Sequence, residues 1–186
     1  VEDGCGVCGG DNTSCFQPTS KSQLENAVDL WVDDVDAALE AYGHISDWDI
    51  SLITNMDDIF REVSFNDDIS DWDVSNVTSM RGVFLNNPIF NQDIGGWDVS
   101  NVTDMASMFA GSYDFNQDLS NWDVSSVTSI ARLFQGATSF NGDVTTWDVS
   151  NAGDMEYMFY NNQAFNQDLS GWDVSNVWRF RNMFQQ

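Results

Sequence analysis

Basic residues are scarce in this chain of 186 residues, which has six lysines and arginines against 30 aspartates and glutamates and a formal net charge of −24. A surface of this sign repels nucleic acids and anionic lipid headgroups, so the composition argues against both as partners. It would attract divalent cations or basic partners instead. No apolar run approaches the ~18 residues that a membrane-spanning helix requires, so no membrane span is predicted in this segment.

Catalytic side chains are scarce as well. His44 is the only histidine, the cysteines all lie in a glycine-rich opening segment, and no glycine-rich loop carries a phosphate-binding lysine. Nucleophilic catalysis needs a nucleophile and a base at one place, and these residues are far apart in sequence. Carboxylates are plentiful but recur in a regular pattern, whereas an active site is normally a single irregularity. The sequence therefore predicts a protein that is not an enzyme.

The chain has only three cysteines, Cys5, Cys8 and Cys15, all within residues 1–18. The Cys-x-x-Cys spacing suits zinc, but a fourth ligand is missing nearby, so a disulfide among these residues is the preferred prediction and zinc the alternative. The run CGVCGGDNTSC resembles a segment of extracellular, cysteine-rich matrix proteins, including secreted metalloproteases. That resemblance implies an oxidising compartment and no activity of its own.

One phrase recurs along the rest of the chain and is clearest as FNQDLSNWDVSSVTSIARLF at residues 115–134. Its tryptophan defines six repeats, which we number 1 to 6 in this order: Trp48, Trp72, Trp97, Trp122, Trp147 and Trp172. Its closing phenylalanine keeps the same period, at Phe60, Phe84, Phe109, Phe134, Phe159 and Phe184. Self-similarity with a period of about 25 residues predicts an array in which each repeat buries its apolar face against its neighbours.

The apolar spacing within a repeat predicts its secondary structure. Trp122 and Val124 are two residues apart, which is the period of a strand. The next apolar residues follow at i, i+3, i+6 and i+7, one face of a short helix or 3₁₀ turn: Val127, Ile130, Leu133 and Phe134. Thr128 stands where such a helix would begin and would serve as its N-cap. We therefore predict an α/β repeat fold: a right-handed, leucine-rich-repeat-like solenoid with one short parallel strand and one short helix or 3₁₀ turn in each repeat.

Residues 19–43 have a different pattern, with an apolar stripe at helical spacing, and the Asp33-Asp34 pair could divide the segment into two helices. We predict an N-terminal helical cap over the first repeat, with a partner-binding helix as the alternative. The predicted domains are thus a Cys/Gly-rich segment at 1–18, the cap at 19–43 and six repeats at 44–186. We expect the C-terminus to be a cut at a repeat boundary.

Two rows of aspartates are the candidate site. The first row follows each tryptophan and should face outward from the strand: Asp49, Asp73, Asp98, Asp123, Asp148 and Asp173. Stacked strands would place these carboxylates ~4.8 Å apart, where each pair repels by roughly 1 kcal/mol in water. Hydrogen bonds from serines two residues further on, bridging Ca²⁺, or a bound ligand could offset this repulsion. The first row is therefore a candidate calcium site, and no other cofactor is predicted.

The second row precedes the tryptophans of repeats 2 to 6 and runs beside a row of asparagines. Its members are Asp68, Asp93, Asp118, Asp143 and Asp168, and the asparagines are Asn66, Asn91, Asn116, Asn141 and Asn166. Such residues commonly bond to backbone groups in turns, so we predict a ladder of hydrogen bonds between stacked copies.

The runs YGHISDWDISLITNMDDIF and FNxDIxxWDVSNVTxMxxMF resemble the tandem repeats of BspA-type surface proteins of bacteria, mycoplasmas and marine protists, over roughly residues 24–186. The resemblance implies a solenoid on secreted or surface-anchored proteins that is associated with adhesion or binding, with no catalytic residues. We therefore expect an extracellular or cell-surface module that recognises a protein or glycan. The alternatives are a Ca²⁺-stiffened spacer and an accessory domain of a larger secreted enzyme.

Overall fold

The structure is a computed structural model and describes residues 16–186. The predicted disulfide or zinc cysteines, Cys5, Cys8 and Cys15, lie outside the described residues. The described chain begins with two helices, α1 (Lys21–Asp33) and α2 (Val35–Tyr42), which are followed by a 3₁₀ turn at Ile45–Asp47. The six repeats then stack one on another as far as the last described residue.

Side-chain caps set the bounds of the two helices. The Ser20 hydroxyl accepts the Gln23 N–H at 3.3 Å and starts α1. Asp34 ends α1 and starts α2, because its carboxylate accepts the Ala37 N–H at 3.1 Å. Asp34 thus divides the segment into two helices, and an aspartate at this position stabilises a helix start by about 1 kcal/mol.

Helix α1 lies over the core of the first repeat. Leu24, Ala27 and Val28 are buried, and the Trp31 ring meets the Trp48 ring edge-on with centroids 6.0 Å apart. The indole N–H of Trp31 also donates to an Asp67 carboxylate oxygen at 2.7 Å. The apolar stripe of the sequence is therefore the face that α1 buries.

The repeats stack in register around one continuous apolar core. Single parallel bridges join equivalent residues of successive repeats: Asn55 to Ser79, Ser79 to Asp104, Asp104 to Ser129, Ser129 to Asp154 and Asp154 to Arg179. The rings of the closing phenylalanines form a column with centroids 5.5–5.7 Å apart. All six tryptophans of the repeat are buried, which confirms that they belong to the core. Each repeat thus supplies one layer of side chains that both of its neighbours share.

The predicted α/β repeat fold is wrong. Within residues 16–186, helices occur only between residues 21 and 47, and no strand forms. A right-handed, leucine-rich-repeat-like solenoid with a strand and a helix in every repeat is therefore not what this chain builds. The period of two at Trp122 and Val124 arises from turns instead: Trp122 N–H donates to Leu119 O at 3.1 Å, and Val127 N–H donates to Val124 O at 2.9 Å. Because these backbone groups bond within their own repeat, they do not form the hydrogen-bond ladder that would join a strand of one repeat to a strand of the next.

The predicted helix is absent because alternate backbone N–H groups point to the next repeat. Those of Ile130, Arg132, Phe134 and Gly136 donate to carbonyls of repeat 5 at 2.7–3.0 Å, whereas a helix would direct them to the residue four positions earlier. The N–H groups of Leu133 and Gln135 lie between these and donate to the carbonyls three residues earlier, which closes β-turns. Successive β-turns reproduce the i, i+3 spacing that the sequence shows. Thr128 is accordingly no N-cap, and its hydroxyl donates to Thr103 O at 3.0 Å.

Left-handed residues make this hydrogen bonding possible. Position 132 of repeat 4 has φ 59°, and its equivalents in other repeats include Gly82 at 62°, Ser107 at 62° and Tyr157 at 58°. Four residues further on, Gly136 has φ 69°. A left-handed residue reverses the direction of the next peptide group, so N–H groups of one segment line up along the stack. Side chains at these positions therefore stand on a backbone conformation that only glycine adopts freely.

Candidate functional site

The first aspartate row forms local turns. In all six repeats the aspartate Oδ1 accepts the backbone N–H of the serine two residues on, at 3.0–3.1 Å. At Asp98 the Ser100 hydroxyl donates to the same oxygen at 2.6 Å. This is the geometry of an Asx turn, in which the carboxylate replaces a backbone carbonyl. The predicted hydrogen bonding of the first row to the serines two residues further on is confirmed.

Hydrogen bonding also governs the protonation of these carboxylates. The Ser100, Ser150 and Ser175 hydrogen bonds lower the pKa of Asp98, Asp148 and Asp173 below its ordinary value. The charge of Asp148 raises the pKa of Asp173, but it is the weakest of the causes acting there. At Asp173 the repulsion from the stacked Asp148 carboxylate is therefore outweighed by the hydrogen bonds from Ser175.

The calcium assignment of the first row stays a prediction. Among residues 16–186 no three acidic, cysteine or histidine side chains come together in a group that could hold a metal ion. Calcium takes six to eight oxygen ligands, usually including several carboxylates. In each turn Oδ1 accepts a hydrogen bond, and the lone pairs that remain on the two carboxylate oxygens are those that a cation between successive repeats could use.

The asparagines form the predicted ladder between stacked repeats, whereas the aspartates of the second row bond to the backbone within their own turns. The Oδ1 atoms of Asn66, Asn91, Asn116 and Asn141 each accept the N–H of the equivalent asparagine in the next repeat, at 2.8–2.9 Å. The five aspartates accept an N–H two residues on, at 2.9–3.0 Å. We call the surface formed by both aspartate rows and the asparagine row the aspartate face. Its side chains hold the repeats together and shape their turns.

The lone histidine lies in a serine–aspartate contact that falls short of a triad. His44 Nδ1 is 2.8 Å from the Ser46 hydroxyl, and that hydroxyl is 3.2 Å from an Asp47 carboxylate oxygen. In a catalytic triad the carboxylate orients the histidine from its other ring nitrogen. Here Asp47 contacts the serine, and His44 accepts the Ser46 N–H to cap the 3₁₀ turn. The contact is part of the local turn.

The five arginines all occur in one segment of the repeat, equivalent to residues 129–135 of repeat 4. They are Arg61, Arg81, Arg132, Arg179 and Arg181. Sequence reasoning did not find this pattern, although aligning the repeats on their tryptophans would have shown it. The aspartate rows precede this segment in every repeat. The scarce positive charge is therefore collected in a part of the repeat separate from the two rows.

An open groove of about 740 Å³ runs along this segment across repeats 1 to 5. Its charged and aromatic lining is Arg61, Arg81, Arg132, Tyr113 and Tyr160. Its polar lining is Asn86, Ser107, Gln135, Thr138, Asn161 and Gln163, and Leu85, Ala110, Gly111 and Gly136 complete it. We call it the arginine groove. No aspartate or glutamate is among these lining residues, although the chain has 30.

The arginines of the groove differ in their partners. Arg61 lies at one end and is paired with Asp58 at 3.7 Å and with Glu62 at 3.1 Å. Arg81 and Arg132 have no ion pair with any residue of the described part of the chain. The Arg132 guanidinium lies 5.5 Å from the centroid of the Tyr157 ring, a cation–π contact that leaves its hydrogen-bond donors available.

One known family matches the repeats and α2. The family described as "Mycoplasma protein of unknown function, DUF285" matches residues 32–132 and 114–186, which together span residues 32–186. The chain belongs to this family. The family description names no ligand or activity, and no curated protein and no solved structure matches the chain. Within residues 16–186, no helix is both long enough and apolar enough to cross a membrane.

Proposed function

We propose that this chain is a non-enzymatic recognition module of an extracellular or cell-surface protein, and that it binds an extracellular protein or glycan through the arginine groove. The observation that carries the proposal is the lining of the groove. It combines three arginines, two tyrosines and six uncharged polar residues with no carboxylate, in a chain of net charge −24. A concave surface with convergent polar groups is the usual form of a binding site.

The backbone supports this assignment. Peptide groups beneath the groove bond from repeat to repeat, as at Gly111 N–H to Gln135 O (2.8 Å) and Gly136 N–H to Tyr160 O (2.7 Å). The side chains above are therefore free to differ, and at the position of Gln135 repeats 1, 2, 3 and 5 carry Arg61, Leu85, Ala110 and Tyr160. A regular backbone that presents variable side chains suits recognition, as in other repeat proteins.

The resemblance of the repeat phrase to BspA-type surface proteins favours an extracellular or cell-surface location and a role in adhesion. The spacer and accessory-domain alternatives use no groove, so they differ from this proposal in what a groove variant should do. That difference makes the proposal testable with surface-binding assays.

The test is binding of the purified chain to an array of immobilised glycans and to wells coated with extracellular matrix proteins. We expect saturable binding to at least one of them, lost in Arg81→Gln/Tyr113→Ala and retained in Arg181→Gln. Arg181 occupies the position of Arg81 in repeat 6 and is not in the groove lining. Binding that both variants retain equally, or no binding at all, would remove the groove as a recognition site and favour the spacer.

A further inference from the structure

We infer that the ligand of the arginine groove is a linear acidic polysaccharide that bears carboxylates at intervals along its chain. This inference rests on the proposed function and adds the chemical class of the ligand. Three features of the groove carry it: the spacing of its unpaired arginines, the neutral hydrogen-bonding residues between them, and the engaged backbone beneath.

The charges of the groove suit a sparse anion. Arg81 belongs to repeat 2 and Arg132 to repeat 4, and both are exposed and without an ion pair in residues 16–186. Repeat 3, which lies between them, contributes Ser107 and Tyr113 to the lining and no charge. A guanidinium binds a carboxylate through two parallel hydrogen bonds. The groove thus offers charged contacts two repeats apart, with neutral contacts between.

A densely charged polymer does not fit this surface. The chain as a whole carries 30 acidic residues against six basic ones, so a nucleic acid, with a phosphate on every unit, would be repelled along most of its length. A polysaccharide in which only some of the sugars carry a carboxylate meets less of this repulsion. The arginines of the groove thus favour an anionic ligand, and the many acidic residues elsewhere in the protein favour a ligand of low charge density.

The repeat spacing and the neutral lining suit sugar units. Parallel bridges join equivalent residues of successive repeats, so one repeat advances the groove by roughly 4.8 Å, which is about the rise of one sugar in an extended polysaccharide. Asn86, Gln135 and Asn161 in repeats 2, 4 and 5 offer amides to hydroxyl groups. The Tyr113 ring is 53% exposed and provides a flat surface on which a sugar ring can pack.

An acidic peptide fits less well. Extended peptides bind chiefly by pairing with an open strand edge or by filling apolar pockets. The N–H groups of Gly111 and Gly136 in this groove already donate to the next repeat, so they cannot pair with a peptide. The apolar part of the lining is small, namely Leu85 and Ala110. Only the side chains of the groove are therefore available to a ligand, and their amide and hydroxyl groups can form hydrogen bonds with sugar hydroxyls.

The experiment is calorimetric titration of the full chain with hyaluronan oligosaccharides, which are linear and carry a carboxylate on every second sugar, in sodium buffer with a chelator. The chelator excludes bridging of hyaluronan to the aspartate face by divalent cations. The comparison ligands are a soluble neutral β-glucan and poly-glutamate of similar length. We expect saturable binding of hyaluronan that is at least about tenfold tighter than binding of either comparison ligand, because a charged hydrogen-bonded contact contributes roughly that factor.

The variants make the assignment specific to the groove. Arg81→Gln and Arg132→Gln should each weaken hyaluronan binding about tenfold, while Arg181→Gln, which removes the same charge outside the groove, should change it less than about twofold. With two charged contacts, raising sodium chloride from 50 to 200 mM should weaken binding by less than about tenfold. Circular dichroism melting of each variant shows whether the fold is retained.

The outcomes separate this inference from the proposed function. Equal losses in Arg81→Gln and Arg181→Gln, or poly-glutamate binding as tight as hyaluronan, would overturn the polysaccharide assignment. Groove-dependent binding of the neutral β-glucan alone would overturn the anionic class and leave the recognition function standing. If neither the titrations nor the surface panel gives binding that depends on Arg81 and Tyr113, both the inference and the proposed function fail.

Discussion

The aspartate face and the arginine groove use the same repeated backbone in opposite ways. On the aspartate face the side chains make the contacts: Asn116 Oδ1 bonds to the next repeat, and the Asp123 carboxylate shapes its own turn. Beneath the groove the peptide groups make the contacts between repeats, and the side chains make few. The residues of the aspartate face accordingly recur almost unchanged, while those of the groove differ from repeat to repeat.

This contrast explains why some side chains recur in every repeat while others vary. A side chain that bonds between stacked repeats must recur, because its loss would leave a partner unsatisfied. A side chain on a backbone that is already satisfied is free to vary. The most repeated residues, which attract attention as a candidate metal site, thus have an architectural explanation. The groove, where repeats differ, is where specificity for a ligand can develop.

The largest expected effect comes from the core that both faces share. Trp122→Ala should lower the free energy of unfolding by roughly 3–5 kcal/mol. The ring is 3% exposed, stacks 6.3 Å from Trp147 and donates its indole N–H to Ile94 O at 3.0 Å. The measurement is urea unfolding followed by tryptophan fluorescence and circular dichroism.

The matched control for the core variant is Tyr113→Ala in the groove. Its ring is 53% exposed, so its loss should change stability by less than about 0.5 kcal/mol. A Trp122→Ala cost below about 1 kcal/mol would contradict the shared-core description. A Tyr113→Ala cost as large as that of Trp122→Ala would contradict the separation of the groove from the core.

Several features of this organisation could be predicted from the sequence, because they depend on the identity of particular side chains. The period, the buried tryptophans and the asparagine ladder follow from residues that recur at fixed positions, such as Trp122 and Asn116. The helix capping at Asp34 follows from a local rule that needs no tertiary structure. Each of these features depends on which residue is present and on little else.

The secondary structure of the repeats was not readable in the same way. The apolar spacing at Val127, Ile130 and Leu133 is the same for a helix and for a series of β-turns. What decides between them is the left-handed conformation at positions such as Ser107 and Arg132, which neither residue type prefers. Stacking imposes that conformation, because it satisfies the N–H groups in the next repeat. The arginine groove was missed with it, since its lining stands on those turns.

A smaller effect should follow from changing one turn of the aspartate face. Asp98→Ala removes the acceptor for the Ser100 N–H and hydroxyl and should cost less than about 1 kcal/mol at pH 7, since the turn is exposed. Asp98→Asn keeps an acceptor oxygen and should be nearly neutral at that pH. Thermal melting of the two variants beside the parent chain measures both effects.

The pH dependence of this turn has a definite sign. Hydrogen bonds from Ser100 lower the pKa of Asp98 in the folded chain, so the stabilisation is present above the unfolded pKa of about 3.9 and is lost as pH falls through the lower folded value. The parent chain should therefore lose this contribution below about pH 4, while Asp98→Asn should not. An unchanged difference in stability between the parent and Asp98→Asn from pH 7 to well below pH 3 would contradict the role of the charged form.

The smallest effect is expected from calcium. A site with a dissociation constant of 0.1 mM would add ~2.3 kcal/mol of stability in 5 mM calcium, which thermal melting would detect readily. The first aspartate row already directs Oδ1 to a serine N–H in every repeat, and no group of three acidic side chains suited to a metal occurs in residues 16–186. If the row is architectural alone, melting in 5 mM calcium should match melting in sodium chloride of equal ionic strength within about 0.5 kcal/mol, both in the parent and in Asp98→Asn/Asp123→Asn. Extra stabilisation by calcium that the double variant abolishes would show coordination along the row, and the aspartate face would then be a binding site as well as an architectural one.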